Sequence, residues 1–245
     1  FFWPQELLMH WAWTEQLTTG ELVISGPEAH HLLHVLRMKT GSSLILFDGN
    51  GSIADAVIQH TGRRDLTVLS QHIRRPPAAL STELTVAAAP PKGDRLRTMV
   101  EKLTEMGVHR LVLLETERSV TAPGETRVEK LRASVVAACK QARRPVLMEL
   151  QPLISLPELL RQASADKLAV YAAHPAETTE PLPPPPVPSH NLIAPLLLIG
   201  PEGGFTDHEI TLMKSVQARF MAWPGTILRT ETAALVFATI LLTSR

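Results

Sequence analysis

The fold is decided by residues 196–205, LLLIGPEGGF, together with a similar run at residues 227–233, ILRTETA. Each run begins with apolar residues typical of a buried strand, breaks at a loop and then leads into a helix. Such units place backbone N–H groups at the carboxyl end of a sheet, where α/β folds bind ligands. After the first run, residues 206–209, TDHE, form a Thr-x-x-Glu capping box, which predicts a helix start. Two loops built alike indicate one composite pocket.

From residue 82 onward, the pattern alternates between strands and helices. Apolar runs predict strands at 84–88, 108–114, 168–172, 196–199 and 219–222. Helical spacing predicts helices over 96–106, 128–142 and 230–243, and Gly107 is a candidate C-cap. This alternation is typical of a parallel sheet that is covered by helices on both faces. We therefore expect an α/β domain over residues 77–245.

Residues 1–76 are instead rich in short strand patterns, which lie at 22–25, 43–47, 52–58 and 66–71. Residues 48–51, DGNG, predict a hairpin turn, and residues 27–37 predict the one helix. The pattern indicates a small β-barrel-like module, and the linker RRPP follows at residues 74–77. We expect two domains, 1–76 and 77–245.

Charge and cysteine content exclude several classes of protein. The chain of 245 residues has 24 basic and 24 acidic residues, so it has no overall attraction for nucleic acid. Segment 92–144 carries 12 Lys and Arg against 7 Asp and Glu, which suits a local phosphate contact or a solvated helix face. The single cysteine, Cys139, excludes an intrachain disulfide, and its position on an apolar stripe predicts a buried thiol.

Targeting signals are not evident. No apolar run approaches the ~18–20 residues of a membrane span, and the opening residues lack the basic region of a secretory signal. We expect a cytoplasmic protein. The proline-rich residues 181–188 suit either a polyproline ligand for a partner or a stiff surface loop.

The local motifs each have two interpretations. Residues 200–204, GPEGG, lack the Lys-Ser/Thr of a phosphate loop and the Gly-x-Gly-x-x-Gly fingerprint, so they permit close backbone approach to a ligand or form a simple tight turn. His30 and His34 have the spacing of a metal pair, but no further ligand lies nearby, and we predict no metal site. Asp94 is positioned to cap a helix, with Lys92 and Arg95 facing either an anion or solvent.

Motifs in this order resemble the RsmE family of bacterial 16S rRNA uridine-N3 methyltransferases, in the SPOUT superfamily, nearly from end to end. They are AHHL at 29–32, VLR at 35–37, LFDG at 46–49, PKGDR at 91–95, KLTEMGV at 102–108, ERSV at 117–120, ACKQ at 138–141, IGPEGGF at 199–205 and ILRTETA at 227–233. Two departures stand out. Arg143 occupies a position where the family has glycine, and residues 223–226, WPGT, replace a Leu-Gly-x-Arg pattern.

The resemblance implies a fold and a reaction. It implies a PUA-like RNA-binding β-barrel over residues 1–76 and a SPOUT-type parallel sheet over 77–245, with a deep trefoil knot at about 168–240. Such knots are rare exceptions to ordinary chain topology. It also implies a homodimer that uses S-adenosylmethionine to methylate N3 of a specific uridine in 16S rRNA of the small ribosomal subunit. A plausible dimer contact is the apolar face of residues 234–242.

Site residues follow from the motifs and the resemblance together. Because uridine N3 carries a weakly acidic proton, the reaction needs a general base, for which Glu231 and Glu202 are candidates; Arg229 would stabilise the developing anion or hold a phosphate. Predicted cofactor contacts come from three loops: Tyr171, Ala172, His174, Ile199, Gly200, Pro201, Glu202, Gly203, Gly204, Trp223, Gly225, Ile227, Leu228, Thr232 and Ala233. Predicted RNA contacts are His30, His31, Arg37, Lys39, Lys92, Arg95 and Arg118.

Two other functions stay open from the sequence alone. A ribose 2′-O methyltransferase would activate a hydroxyl instead of a ring nitrogen. A non-catalytic RNA-binding factor of ribosome assembly would keep the fold without turnover, although it would have little need for paired glycines at 203–204.

Overall fold

The computed structural model describes residues 9–77, 83–119, 125–174 and 194–243. The proline-rich stretch 181–188 lies outside the described residues. By contact, the chain divides into two units, Phe1–Ala79 with Val136–Leu147 and Leu80–Val135 with Met148–Arg245. The first unit thus includes a segment that the sequence-based boundary at residue 76 had left in the second domain.

The first unit contains a five-stranded sheet. In chain order its strands are β1 His10–Trp13, β2 Gly20–Ser25, β3 Ser43–Phe47, β4 Ile53–Thr61 and β5 Asp65–Arg74, and they lie in the order β1-β3-β4-β5-β2. Strand β1 is parallel to β3 and the other pairs are antiparallel. The predicted turn between β3 and β4 is confirmed, since Asp48 Oδ1 accepts hydrogen bonds from the Asn50 and Ser52 amides. Strand β1, only four residues long, escaped prediction.

The helix of this unit is less regular than predicted. Helix α1, Gly26–His30, continues as a π-helical turn, His31–Val35. The Leu36 amide donates to the His31 carbonyl, five residues back, and Arg37 then has a φ of 54°. The wide turn directs Leu32, which is fully buried, into the apolar core against β3–β5.

The C-terminal part of a long helix also belongs to the first unit. Helix α3, Glu125–Ala142, contributes Lys140, whose Nζ lies 2.8 Å from Glu28 Oε2. The predicted burial of Cys139 is confirmed: the thiol is fully buried, and its Sγ lies 3.5 Å from the Val146 carbonyl. The ion pair ties α3 to α1, and the Leu147 amide, which donates to the Gly49 carbonyl at 2.8 Å, ties the same segment to the turn after β3.

The second unit contains the predicted parallel sheet. Its strands are β6 Thr85–Ala88, β7 Arg110–Glu115, β8 Glu149–Ser155, β9 Ala169–Ala173, β10 Pro195–Ile199 and β11 Arg219–Met221, and they lie in the order β11-β9-β10-β6-β7-β8. Every neighbouring pair is parallel. The helices are α2 Asp94–Met106, α4 Leu156–Ala165, α5 Asp207–Ser215 and α6 Thr230–Thr243. Gly107 is confirmed as the left-handed C-cap of α2, with a φ of 93°.

Sheet register sets the position of the site. Ile199, the last residue of β10, pairs with Ala88 at the end of β6 and with Ala173 at the end of β9. Ala173 pairs in turn with Met221 at the end of β11. Four strands therefore end level with one another, so the loops that follow them emerge along one edge of the sheet. Chain order reverses between β10 and β6, and such switch points are where open α/β sheets bind ligands.

Helix α6 is packed into the second unit through a buried apolar face. Its buried residues include Ala234, Phe237, Ala238 and Leu241, and it packs against α2 and β10. The apolar face predicted to contact a second copy is therefore occupied within its own subunit. Among the described residues, no helix has both the length and the apolar composition needed to cross a membrane.

Candidate functional site

Two of the loops at the level edge are tied together by Thr230. This residue begins α6, is 4% exposed, and its Oγ1 donates to the Gly200 carbonyl at 3.2 Å. The tie joins the loop that follows β10 to the loop that follows β11. It also places Glu231, the next residue, beside the first loop.

The glycine-rich loop at 200–205 is folded back on itself. The Gly204 amide donates to the Pro201 carbonyl at 2.8 Å, and Gly204 has a φ of 68°, which favours glycine. The buried ring of Phe205 covers Gly200 so closely that a Cβ on Gly200 would lie 3.1 Å from it. The loop thus keeps its shape through a turn, an aromatic cover and the Thr230 tie.

Arg95 lies between the two candidate bases. Its Nη1 is 3.1 Å from Glu202 Oε1 and 3.9 Å from Glu231 Oε2. The Glu202 side chain is 49% exposed, whereas that of Glu231 is 15% exposed, and within the described ranges no donor reaches its buried Oε2. Arg95, for which the sequence predicts an RNA contact, has both carboxylates within ion-pair distance of its guanidinium in the structure. Three distant segments therefore build this group.

The capping prediction for the helix that carries Arg95 is wrong. The N-cap residue of α2 is Gly93, with a φ of 67°, and no side chain caps the helix. Asp94 is instead the first helical residue, where its charge still favours the helix N-terminus. Lys92 is exposed on the same loop.

The loop after β11 presents apolar surface. Trp223 is 41% exposed and Ile227 is 86% exposed, and between them Gly225 has a φ of 87° with open space where a Cβ would be. Arg229 is exposed, and no ion pair of its side chain occurs with the described residues. Large apolar side chains in solvent beside a positive-φ glycine suit the flat face of an apolar ligand.

The remaining predicted cofactor residues differ in accessibility. The side chains of Tyr171 and Ala172 are buried within the sheet, so a ligand at the edge would meet only the end of β9. There, the His174 amide donates to the Met221 carbonyl at 3.0 Å. Ala233 is buried, Leu228 is half-buried and Thr232 is exposed.

Predicted RNA-contact residues of the first unit are mostly on its surface. His30, Arg37 and Lys39 are exposed. His31 is half-buried, and burial, followed by the charge of Lys140, lowers the pKa of its imidazole. His30 and His34 stack with ring centroids 4.8 Å apart. In the described part of the chain, no group of three His, Cys, Asp or Glu residues is arranged to hold a metal ion.

A second polar cluster, which the sequence did not reveal, lies beside the glycine-rich loop. Arg118 Nη1 donates to the Gly203 carbonyl at 2.7 Å and to the Phe205 carbonyl at 3.4 Å. Glu209, only 3% exposed, accepts the Thr206 amide at Oε2 (2.8 Å) and the Glu117 amide at Oε1 (2.9 Å). The predicted capping box is confirmed, because Thr206 Oγ1 accepts the Glu209 amide in return.

His208 completes this cluster. Its Nδ1 lies 2.8 Å from Glu117 Oε1, and hydrogen bonds from His208 and then Thr206 lower the pKa of the Glu117 carboxyl. A cleft of about 300 Å³ lies alongside, lined by Glu115, Ser155, His208 and Leu212 among others. Another cleft, of about 410 Å³, is lined by residues at the amino ends of β6 and β7, such as Thr85 and Arg110. Residues 199–205 line neither of these two clefts.

Protein-family comparisons agree with this architecture. A family described as an RNA methyltransferase domain matches residues 78–242, and one described as an RNA methyltransferase PUA domain matches residues 24–69. The chain is 32% identical over 229 residues to ribosomal RNA small subunit methyltransferase E of Mycobacterium tuberculosis, covering 89% of this chain and 85% of that protein. It is 28% identical over 225 residues to the Bacillus subtilis protein of the same name, covering 86% of each.

Solved structures give the same result. A Legionella pneumophila protein, described as a methyltransferase and solved with the bound cofactor SAM, superposes with a TM-score of 0.84 at 26% identity, covering 95% of this chain and 96% of that one. Ribosomal RNA small subunit methyltransferase E of Neisseria gonorrhoeae, bound to S-adenosyl methionine, shares the fold with a TM-score of 0.80 at 23% identity and 95% coverage of each chain.

Proposed function

Because this chain belongs to the RsmE family of ribosomal RNA small subunit methyltransferases, we propose that it methylates N3 of a specific uridine in 16S rRNA, with S-adenosylmethionine as donor. The observation that carries the proposal is the level carboxyl edge of β6, β9, β10 and β11, where Glu231 lies beside the glycine-rich loop. This arrangement supplies both open space for a ligand beside Gly204 and a largely buried carboxylate, that of Glu231.

The residues at the edge fit S-adenosylmethionine. Gly204 and Gly225 have positive φ and open space beside them, so backbone can approach a ligand closely. Exposed Trp223 and Ile227 offer apolar contact for an adenine ring or a methionine chain. When bound, the cofactor supplies an electrophilic methyl group. The loops then serve to orient it toward the attacking nitrogen.

Glu231 is the better candidate for the general base. Its buried Oε2 accepts no hydrogen bond from the described residues, so this oxygen can take the proton from N3 of a bound uridine. Glu202 is more exposed and already lies 3.1 Å from Arg95. Arg95 Nη1 lies 3.9 Å from Glu231 Oε2, and exposed Arg229 would stabilise the negative charge that develops on the uridine or hold a phosphate.

The chemistry of N3 methylation determines the form in which the RNA substrate must be presented. Base pairing covers N3, so the target uridine must be unpaired or flipped out of its stack. Exposed His30, Arg37 and Lys39 on the first unit and Lys92 on the second would contact RNA phosphates. With no net charge on the chain, a structured target such as the assembled small subunit is expected.

Several features of the family complete the proposal. They are closure of the first sheet into a PUA-like barrel, a trefoil knot at about 168–240, a cytoplasmic location and a homodimer. Since α2 covers the buried face of α6, the partly exposed Leu235 and Val236 are better placed than Ala234–Leu242 as a whole to meet a second copy.

Substitution of Glu231 tests the proposed chemistry. Glu231→Gln keeps the side-chain volume but cannot take a proton, so turnover should fall by at least about a hundredfold while S-adenosylmethionine affinity changes little. Glu202→Gln is the matched control and should retain more activity. Unchanged turnover in Glu231→Gln would remove Glu231 from the role, and product nucleosides methylated on the ribose would replace N3 by 2′-O chemistry.

A further inference from the structure

We propose that Arg118 and Glu209 form a clasp that preforms the glycine-rich loop, and that both are positioning residues for cofactor binding. The clasp joins the turn Thr116–Ser119, which follows β7, to residues 203–206. The inference rests on the proposed function in taking S-adenosylmethionine as the ligand. It assigns to Arg118 a role other than the RNA contact suggested by its basic charge.

Arg118 is exposed, but its hydrogen bonds are made to the main chain of the same protein. Its guanidinium spans two main-chain carbonyls of the loop, those of Gly203 and Phe205. Its aliphatic stem lies against Gly203 so closely that a Cβ there would be 3.4 Å from Arg118 Cδ. Both hydrogen bonds leave from Nη1, and because the guanidinium is rigid and planar, its donors point in fixed directions, whereas those of an ammonium group rotate on a flexible stem.

Glu209 connects the same two segments through its side-chain carboxylate. Each oxygen of its buried carboxylate accepts one backbone amide, Thr206 from the loop and Glu117 from the turn. A buried carboxylate with both oxygens engaged by amides on separate segments fixes the distance between them. The turn itself is closed by Ser119, whose Oγ accepts the Thr116 amide at 3.0 Å.

The loop needs such a clasp because of its composition. Gly203 and Gly204 give the free loop many accessible conformations, and ordering it on ligand binding would weaken the affinity. If the competent conformation were populated only a tenth of the time, the apparent dissociation constant would rise about tenfold. Because the clasp orders the loop in the free protein, this loss of cofactor affinity is avoided.

Three variants test the clasp by calorimetric titration of the full-length protein with S-adenosylmethionine in the absence of RNA. Arg118→Ala should weaken binding by about tenfold, and Arg118→Lys, which keeps the charge but places its donors on a flexible stem, should fall between it and the unmodified protein. Glu209→Gln, which presents an amide group to one of the two amides, should also weaken binding. Arg161→Ala removes an exposed charge paired with Glu158 on α4 and should leave affinity within about twofold.

RNA binding separates the clasp from a phosphate contact. Affinity for small ribosomal subunits without cofactor should stay within about twofold in Arg118→Ala, with the same salt dependence. Loss of a phosphate contact would instead reduce the salt slope by about one. In turnover, the variants should raise the KM for the cofactor more than they lower kcat. Unchanged cofactor affinity in Arg118→Ala, or a loss confined to RNA binding, would overturn the proposal.

Hydrogen exchange at the amides of Gly203, Gly204 and Thr206 provides a readout that needs no ligand. Exchange should be faster in Arg118→Ala than in the unmodified protein and unchanged in Arg161→Ala; equal exchange in both variants would overturn the clasp. If the unmodified protein failed to bind S-adenosylmethionine, the proposed function would fail, and the exchange data would still decide whether the clasp orders the loop.

Discussion

The ion pair between Glu28 and Lys140 should be essential to the stability of the first unit. Lys140 Nζ lies 2.8 and 3.1 Å from the two Glu28 oxygens, and the Trp13 amide also donates to Glu28 Oε1. The two side chains are only 14% and 17% exposed. At an effective dielectric constant of about 20, the attraction is about 6 kcal/mol, most of which offsets the desolvation of both charges.

Removing one partner should therefore lower the free energy of unfolding by more than the intact pair contributes to it. Lys140→Met leaves a largely buried carboxylate with one amide donor, and we expect the free energy of unfolding to fall by about 2–3 kcal/mol. Combining it with Glu28→Gln should cost no more than Lys140→Met alone, which gives a coupling energy of about 1–2 kcal/mol.

Urea unfolding followed by tryptophan fluorescence, to which Trp11 and Trp13 in the first unit contribute, measures these changes. At a slope of about 2 kcal/mol per molar, Lys140→Met should lower the midpoint by about 1 M urea without changing the slope. Lys39→Met makes the same change at an exposed position of the same unit and should stay within about 0.5 kcal/mol. If Lys140→Met matched Lys39→Met, residues 136–147 would not be held as the structure shows.

Three further substitutions probe backbone strain, protonation and packing. Arg143 has a φ of 54° just after α3, so Arg143→Gly should raise the free energy of unfolding by up to about 1 kcal/mol; a decrease in the thermal midpoint would refute strain at this position. Burial lowers the pKa of His31 from the ordinary 6.5. As the pH falls through 6.5, the unfolded chain therefore takes up the His31 proton before the folded protein does, and the folded protein loses stability. His31→Asn removes this titration and should lose less stability than the unmodified protein between pH 7 and 5; identical pH profiles would contradict this. Gly200→Ala should lower the free energy of unfolding in urea by about 1–3 kcal/mol, because its Cβ would lie 3.1 Å from the Phe205 ring. Gly203→Ala is the control, since its Cβ would meet no described atom nearer than 3.4 Å. Equal losses in the two variants would contradict the contact between Gly200 and the Phe205 ring.

Local signals were sufficient for much of the fold. Helix α6 begins and ends at the predicted residues, the Thr206 capping box is present, and Gly107 ends α2 in the left-handed conformation. Each of these depends on side chains within one helical turn of the boundary, so adjacent residues contain the information. The parallel sheet followed from the alternation of strands and helices.

Other elements were missed for physical reasons. Strand β8 contains Pro152, which argues against a central strand, but β8 lies at the edge of the sheet, where proline is tolerated. Helix α4 directly follows it at Leu156, so no loop signal separates the two. The π-helical turn after His30 depends on how Leu32 meets the core, which the spacing of residues does not encode.

Long-range polar contacts set the limit on predicting the site. The sequence identified Glu202 and Glu231 as candidate bases but not Arg95 between them, because the three residues come from segments that follow different strands. The clasp likewise joins residues more than 80 positions apart, as with Arg118 and Gly203. Glu209 was visible as a capping residue, while the use of its second oxygen by Glu117 required the folded sheet.

The most direct test of the proposed function is methyl transfer from labelled S-adenosylmethionine to unmodified small ribosomal subunits, followed by digestion to nucleosides. We expect the label in 3-methyluridine and its loss in Glu231→Gln. Label in a ribose-methylated nucleoside, or no label from a protein that binds the cofactor normally, would contradict the account.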